Sequence, residues 1–281
     1  MPTNREVYFS LYKENNKYLP RGVITSMLCY INNFDCNLTL YKNFDNECKD
    51  YDRFLTLIER VRNGEPYQYV MGKASFIDLS FNVNPSTLIP RQETEELVIG
   101  TKVMIDKMFT PFPQITIADV CTGSGIIGIY LKKFYKLSTV YVTDIDEGCL
   151  KVAESNSKLH HLPVNCLQGD LLEPLIEQNI KLDVLVCNPP YIGDPSTIDE
   201  QVWKYEPHLA LLAEPKTAFY ERIFKDADKI MNKNALLAFE IGEDMEDELS
   251  VLVEQYFPNS AYKLSKDMYG ASSFPQEGGQ T

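Results

Sequence analysis

From about position 115 the chain alternates between short apolar runs and longer stretches whose apolar residues recur at helical spacing. The runs "ITIADV", "TVYVTD", "VNCLQGD", "LDVLVCN" and "ALLAFEI" have the length and β-branched content of buried strands. Between or after them, "IIGIYLKKFY", "EGCLKVAESNSKLH", "KTAFYERIFKDADKIM" and "EDMEDELSVLVEQYF" repeat apolar residues every three or four positions. Strands separated by helices of this length predict an α/β domain, a mostly parallel sheet covered on both faces.

The first part of the chain reads differently. Residues 1–75 hold short helical stretches such as "VITSMLCYI" and "YDRFLTLIERV". In the second, Phe54, Leu55, Ile58 and Val61 form one apolar face that stops near Asn63-Gly64. Residues 1–75 are therefore expected to form a small helical domain. Phe76, Leu79, Phe81 and Val83 then fit two short strands turning at Ile77-Asp78, so 76–90 reads as a β-hairpin linker. "RQETEELVIGTKVMI" restores helical spacing, with Gln92 or Thr94 near its start, and opens a domain over 91–281. The polar end "ASSFPQEGGQT" is expected to fray.

Charge narrows the functions on offer. The 281 residues carry a formal net charge of −13, which argues against phosphate attraction as the main source of affinity. The acidic run "GEDMEDE" at 242–248 is read as a solvated helix face. Seven cysteines without a CxxC pair point to reduced thiols in a cytoplasmic protein, with no metal set among them. No apolar run approaches the ~18 residues of a membrane span, and the start lacks the apolar core of a secretion signal. Of three histidines, His160 and His161 fall at a helix end and His208 is read as structural, so no histidine-based catalytic set is proposed.

The candidate chemistry begins at the turn "CTGSG", residues Cys121, Thr122, Gly123, Ser124 and Gly125. With Gly128 it matches GxGxxG between a strand and a helix, and Asp144 ends the next strand. This pattern suits any adenosine-type cofactor, because glycines admit backbone close to the ligand and the acid accepts from ribose hydroxyls. Asp119, two residues before the turn, is expected beside the ligand, a poor neighbour for a pyrophosphate and a good one for a sulfonium. Asp170 and Leu171, after the third strand, are expected near the adenine, with helix capping by Asp170 as the alternative.

The fourth strand ends in Asn188, Pro189, Pro190 and Tyr191. An amide or amino nitrogen has a delocalised lone pair and attacks a methyl group poorly unless its N–H groups are held. The Asn188 side-chain carbonyl and the Pro189 backbone carbonyl are suitable acceptors. Consecutive prolines remove competing donors and stiffen the corner, and Tyr191 offers a face for a flat group. With this motif in place, S-adenosylmethionine becomes the expected cofactor over a dinucleotide.

From about Gly64 onward the chain resembles the HemK/PrmC family, protein-(glutamine-N5) methyltransferases acting on peptide chain release factors. The resemblance rests on "GEPYQYVMGKASF", "TLIPRQETEELV", "DVCTGSG", "NPPYI" and "YEPHLALLA". It implies a Rossmann-like class I S-adenosylmethionine-dependent methyltransferase sheet carrying the small helical domain. The implied reaction is methyl transfer to the glutamine amide of a Gly-Gly-Gln loop. Asn188 and Pro189 would hold that amide, Tyr191 would wall the pocket, and residues 122–125, Asp144 and Asn188 would contact the cofactor. The helical domain would help dock the release factor, with no direct nucleic-acid or membrane contact.

Two departures qualify the match. Cys121 stands where the family has glycine, and its side chain is expected to crowd the methionine portion of the cofactor. Asp267 and Gly270 remain of a closing-strand pattern that has lost its Arg, so that strand is expected to be short. Two other functions stay open at this stage: a nucleic-acid amino-methyltransferase using the same NPPY motif, and a non-catalytic partner-binding factor.

Overall fold

The computed structural model describes residues 1–109, 114–262, 265–266 and 272–277. They group into two units, Met1–Lys73 with Glu200–Tyr205, and Ala74–Asp199 with Glu206–Thr281.

The first unit is helical: α1 (Asn4–Lys13), α2 (Arg21–Asn32), α3 (Asn37–Lys42), α4 (Tyr51–Arg62) and α5 (Tyr67–Met71). Thr3 and Glu6 form a capping box at the start of α1, each satisfying a backbone N–H of the other. Ile24, Met27, Leu28 and Ile31 of α2 are buried against Phe54, Ile58 and Val61 of α4 in one cluster. Leu55, expected on that face, is 43% exposed. Phe54, Ile58 and Val61 sit four and three residues apart on one stripe, and Leu55 lies about 100° round the helix from Phe54. The helix stops where the pattern breaks, at Asn63. Residues 200–205 join this unit as a short helix, with Gln201 donating to the Gly64 carbonyl at 2.8 Å. Nothing in their spacing announces that placement.

In the second unit, β1 (Lys73–Phe76) and β2 (Leu79–Asn82) form the hairpin around Ile77-Asp78, beginning at Lys73 rather than 76. Phe76 and Phe81 are fully buried in the same cluster as Leu97, Ile105 and Tyr130. Each such ring contributes roughly 2–3 kcal/mol relative to an exposed one, so the hairpin is part of this unit's core. α6 (Gln92–Met108) follows.

The sheet elements then run β3 (Thr116–Val120), α7 (Ile126–Phe134), β4 (Thr139–Asp144), α8 (Glu147–His160), β5 (Asn165–Gln168), α9 (Glu173–Glu177) and β6 (Leu182–Cys187). After α10 (Glu200–Tyr205) come α11 (Ala218–Ala227), β7 (Met231–Glu240), α12 (Glu246–Tyr256), β8 (Ala261–Tyr262), β9 (Ser265–Lys266) and β10 (Ser272–Glu277). The strand order is β5-β4-β3-β6-β7-β10-β8, with β9 paired to β10. From β5 to β7 all pairs are parallel, and β10 runs antiparallel to β7.

Alternation along the strands divides the core. Ile117, Val184, Val186 and Ala238 face the cluster built with α6, α7 and α8. Ala118, Val120, Leu185 and Phe239 face the cluster built with α11 and α12. Both faces of the central strands are dry, which is why those strands read as continuous apolar runs. Two expectations need correction. The helix after Asp170, α9, is there, but its N-cap is Leu172 and no side chain caps it, so the capping alternative for Asp170 does not hold. The tail, expected to fray, pairs with β7 from Ser273 to Glu277. Asp267 and Gly270 lie outside the described residues.

Candidate active site

The chain lays β4 and β5 on one side of β3, then returns to place β6 on the other side. Such a reversal leaves a crevice at the strands' carboxyl ends, where open α/β sheets take ligands. Val120 and Cys187 are register partners on β3 and β6, so the glycine turn and the NPPY segment leave the sheet as neighbours. A cavity of about 250 Å³ opens there.

The turn is held by its own backbone. Thr122 N–H donates to the Thr143 carbonyl at 3.0 Å, and Gly125 N–H to the Thr122 carbonyl at 3.0 Å. Gly125 has φ 82°, and a Cβ there would lie 2.8 Å from the Ala153 Cβ, so both conformation and packing require glycine. A Cβ on Gly128 would lie 2.7 Å from Val142 Cγ1, which makes Gly128 the close contact between α7 and the sheet. Cys121 adopts φ 58°, a left-handed conformation uncommon for a residue with a side chain.

Of the expected cofactor residues, Cys121, Thr122, Gly123 and Ser124 line the cavity. So do Asp144, Asp170, Leu171 and Asn188. Gly125 does not; it is the N-cap of α7 behind the turn. Asp119 is the principal correction. Expected beside the ligand, it is 0% exposed and lies under the turn. Its Oδ2 accepts from Thr122 Oγ1 at 2.5 Å and from Gly128 N–H at 2.8 Å. Burial pushes its carboxyl up to about 7 against those two hydrogen bonds. Asp119 thus shapes the loop, and its strand position buries the side chain that charge reasoning had aimed at the ligand.

Asp144 sits at the end of β4 and accepts from Gly123 N–H at 2.9 Å through Oδ2 and from Asp146 N–H at 3.0 Å through Oδ1. Burial raises its carboxyl above the ordinary range, offset by those N–H donors. Ile145 beside it is 51% exposed and lines the cavity, giving a flat apolar surface next to an acid. Asp170 pairs with Arg222 at 2.6 Å, and both line the cavity. Its carboxylate is thus engaged by an α11 side chain. These residues fit an adenosine with a charged tail: glycine turn, ribose-height acid and apolar flank share one opening.

Pro190 lines the cavity with Asn188, whereas Pro189 is buried and Tyr191 is turned away toward β7. The Tyr191 hydroxyl lies 3.4 Å from Glu240 Oε1, and its ring packs against Gly242. This differs from the expected ring face on the cavity wall. The neighbouring Glu240 is 6% exposed and accepts from Thr94 Oγ1 at 2.7 Å. Thr94 in turn accepts from Asn188 Nδ2 at 3.2 Å. Sequence reasoning did not single out Glu240; its only signal is a lone acid inside the apolar run "ALLAFEI".

Two of the sequence motifs also reach the cavity. Leu88, Pro90, Arg91 and Thr94, from "TLIPRQET", form one wall of the cavity. Pro207, Leu209 and Ala210, from "YEPHLALLA", form another. The two are joined by Arg91 donating to Glu206 Oε1 at 2.6 Å, while Ile89 N–H donates to Oε2 at 3.0 Å.

Residues 94–205 match the Methyltransferase small domain. The release factor glutamine methyltransferase of Staphylococcus aureus is 37% identical over 221 residues, covering 78% of this chain and 77% of that protein. The one from Bacillus cereus is 34% identical over 267 residues, covering 93% of each. A crystal structure of a methyltransferase from Pyrococcus furiosus superposes with a TM-score of 0.52 at 18% identity, covering 73% of this chain and 92% of that one. The last comparison speaks to the fold alone, a class I methyltransferase sheet. On the identity and coverage of the first two, the chain belongs to the release factor glutamine methyltransferase family.

Proposed function

We propose that this chain methylates the side-chain amide nitrogen of the glutamine in the Gly-Gly-Gln loop of peptide chain release factors, with S-adenosylmethionine as cofactor. Asn188 carries the reading: a carboxamide at a strand end, in the cavity shared with the glycine turn. When bound, the cofactor supplies an electrophilic methyl group on a sulfonium. Residues Cys121 to Ser124 would take its methionine portion, Asp144 its ribose, and Ile145 with Leu171 its adenine.

The chain's own work is orientation. Asn188 Oδ1 and the Pro189 carbonyl would accept the two N–H bonds of the glutamine amide. That holds its nitrogen in line with the methyl and favours pyramidal geometry as the lone pair localises. Pro190 has no N–H to compete for those carbonyls. The apolar walls from Leu88, Pro90, Pro207 and Leu209 exclude water from the path, which strengthens each of these polar contacts. Tyr191 acts from behind, fixing the corner against β7. No base is required in the alignment step, because the methylated amide loses its proton to solvent afterwards.

The nucleobase alternative shares the NPPY chemistry, but family membership and the net charge of −13 both favour the protein substrate. A cytoplasmic location is part of this proposal, as are docking of the substrate by the helical domain and the absence of direct nucleic-acid contact. Among the described residues no helix is long and apolar enough to cross a membrane. The test is mass spectrometry of a release factor incubated with the protein and S-adenosylmethionine. One added methyl group on the loop glutamine is expected. Labelling that persists after Gln→Ala in the substrate loop defeats the assignment.

A further inference from the structure

The acceptor role of Asn188 has a hidden requirement. A carboxamide is nearly symmetric in shape, and a flip of its terminal group exchanges an acceptor for a donor. Pointing Nδ2 at the substrate would set N–H against N–H and repel the glutamine amide. Something must select Oδ1.

Three groups from three parts of the fold meet behind Asn188. Thr94 comes from the first turn of α6, Glu240 from the last residue of β7, and Tyr191 from the NPPY segment itself. Asn188 Nδ2 donates to Thr94 Oγ1 at 3.2 Å, and Thr94 Oγ1 donates to Glu240 Oε2 at 2.7 Å. Glu240 and Thr94 are 6% and 3% exposed, so water does not compete for these bonds. Above about 7 the Glu240 carboxyl is ionised and only accepts. Thr94 must therefore spend its single proton on Glu240, which leaves its lone pairs for an N–H of Asn188. The polarity of the chain runs one way, from amide through hydroxyl to carboxylate.

We propose that Glu240 is a positioning residue that fixes the flip of the Asn188 carboxamide through the Thr94 hydroxyl, presenting Oδ1 to the substrate amide. The proposal rests on the reading of Asn188 as the amide acceptor. Its basis is the buried relay, Asn188 to Thr94 to Glu240, whose direction an obligate acceptor fixes while the carboxyl is ionised, so the kinetics are read at pH 8. A carboxamide at position 240 removes that obligation. Its own N–H could donate to Thr94, the hydroxyl could then donate toward Asn188, and both flips of Asn188 would become comparable in energy. Burial, opposed by the Thr94 hydrogen bond, holds the Glu240 carboxyl up at about 7, and Glu93 on α6 pushes in the same direction. Asn188 also reaches this carboxyl directly by a side-chain hydrogen bond, which favours the same flip. Tyr191 and the Tyr220 hydroxyl, which donates to the Glu240 backbone carbonyl at 2.7 Å, are its other polar neighbours.

The test compares E240Q, T94V and T94S in the full chain by two readouts. The first is the kinetics of release-factor methylation. The second is the side-chain amide signal of Asn188 in protein labelled with 15N-asparagine, identified by its absence in N188A. E240Q and T94V are expected to lower kcat roughly tenfold to a hundredfold, as a misaligned nucleophile does, with KM for the release factor little changed. Both should collapse the slow-exchanging, dispersed Nδ2 proton pair of Asn188. T94S keeps the hydroxyl and should retain wild-type values in both readouts. T94V, close to isosteric, serves if E240Q does not fold. Wild-type kcat and an unchanged Asn188 signal in E240Q or T94V overturn the proposal, as does T94S behaving like T94V. If wild-type protein methylates no release factor while the Asn188 signal responds as described, the proposed function fails and the positioning role stands.

Discussion

Arg91 and Glu206 form an ion pair at 2.6 Å in which the acid side chain is 2% exposed and the base 36% exposed. The same carboxylate accepts the Ile89 N–H at 3.0 Å. Two segments more than 100 residues apart, both lining the cavity, are thereby fastened to each other. In R91A the buried carboxylate keeps one backbone donor and loses its counter-charge. A loss of about 1–3 kcal/mol is expected in urea unfolding, below the figure for a fully buried pair because the guanidinium is partly solvated. KM for the release factor should rise as the wall from Leu88 to Arg91 loosens. An unchanged unfolding midpoint would show that the pair is incidental.

Asp119 and Glu240 set a pH dependence of stability. Burial raises both carboxyls to about 7 in the folded chain, whereas unfolded carboxyls titrate near ~4. The native state therefore holds these protons more tightly than the unfolded state. Their contribution is fully present below the unfolded value and is lost as pH rises through about 7. On the order of 3–4 kcal/mol per group is the ceiling for that loss. Urea midpoints should be higher at pH 5 than at pH 8. D119N retains an acceptor for Gly128 N–H and should flatten the slope; an identical slope would remove Asp119 as its source.

How far the sequence reached depends on what each signal measures. Periodicity reports burial on one element, so it located the five parallel strands, and it located α8 to the residue, Glu147–His160. It is blind to which elements meet, so it missed residues 200–205 joining the first unit and Arg91 meeting Glu206. The glycine turn and Asn188 were legible because their chemistry depends on local backbone shape. Asp119 was misplaced because charge reasoning considered what an acid does near a ligand, and the strand's alternation decided where the side chain went. Glu240 was overlooked because a single acid at a strand end looks the same whether it faces solvent or lies buried behind the site.

Cys121 allows the cofactor site to be mapped without catalysis. It lines the cavity half-buried; Cys149 lines it too but is buried, as is Cys187, and burial pushes both of those thiols well up. Brief treatment with a maleimide should modify the exposed Cys36 at the same rate with or without S-adenosylmethionine. Cys121 should be protected by saturating cofactor, and peptide mapping by mass spectrometry reads this directly. Equal labelling of Cys121 in both conditions would place the cofactor elsewhere. In C121G the left-handed residue at φ 58° loses a penalty of roughly 1–2 kcal/mol. Its vacated Cβ should also tighten cofactor binding by calorimetry.

Gly242 and Tyr191 test whether the NPPY corner needs its rear support. A Cβ on Gly242 would lie 2.8 Å from Tyr191 Cδ2 and 3.2 Å from Met245 Sδ. The methionine can move aside; the aromatic ring is rigid and joined by one residue to the Pro189 carbonyl. In G242A the ring must shift, taking its hydroxyl from Glu240 and the corner from its alignment. A destabilisation of about 1–3 kcal/mol is expected from overpacking. A kcat loss of roughly tenfold to a hundredfold should come from misalignment, with cofactor affinity kept because the glycine turn lies on another strand. The decisive measurement is a double-mutant cycle with Y191L. If the steric contact is the cause, G242A costs less in kcat once the ring is gone, and the coupling is large. Additive losses would mean that Gly242 matters for a reason unrelated to Tyr191.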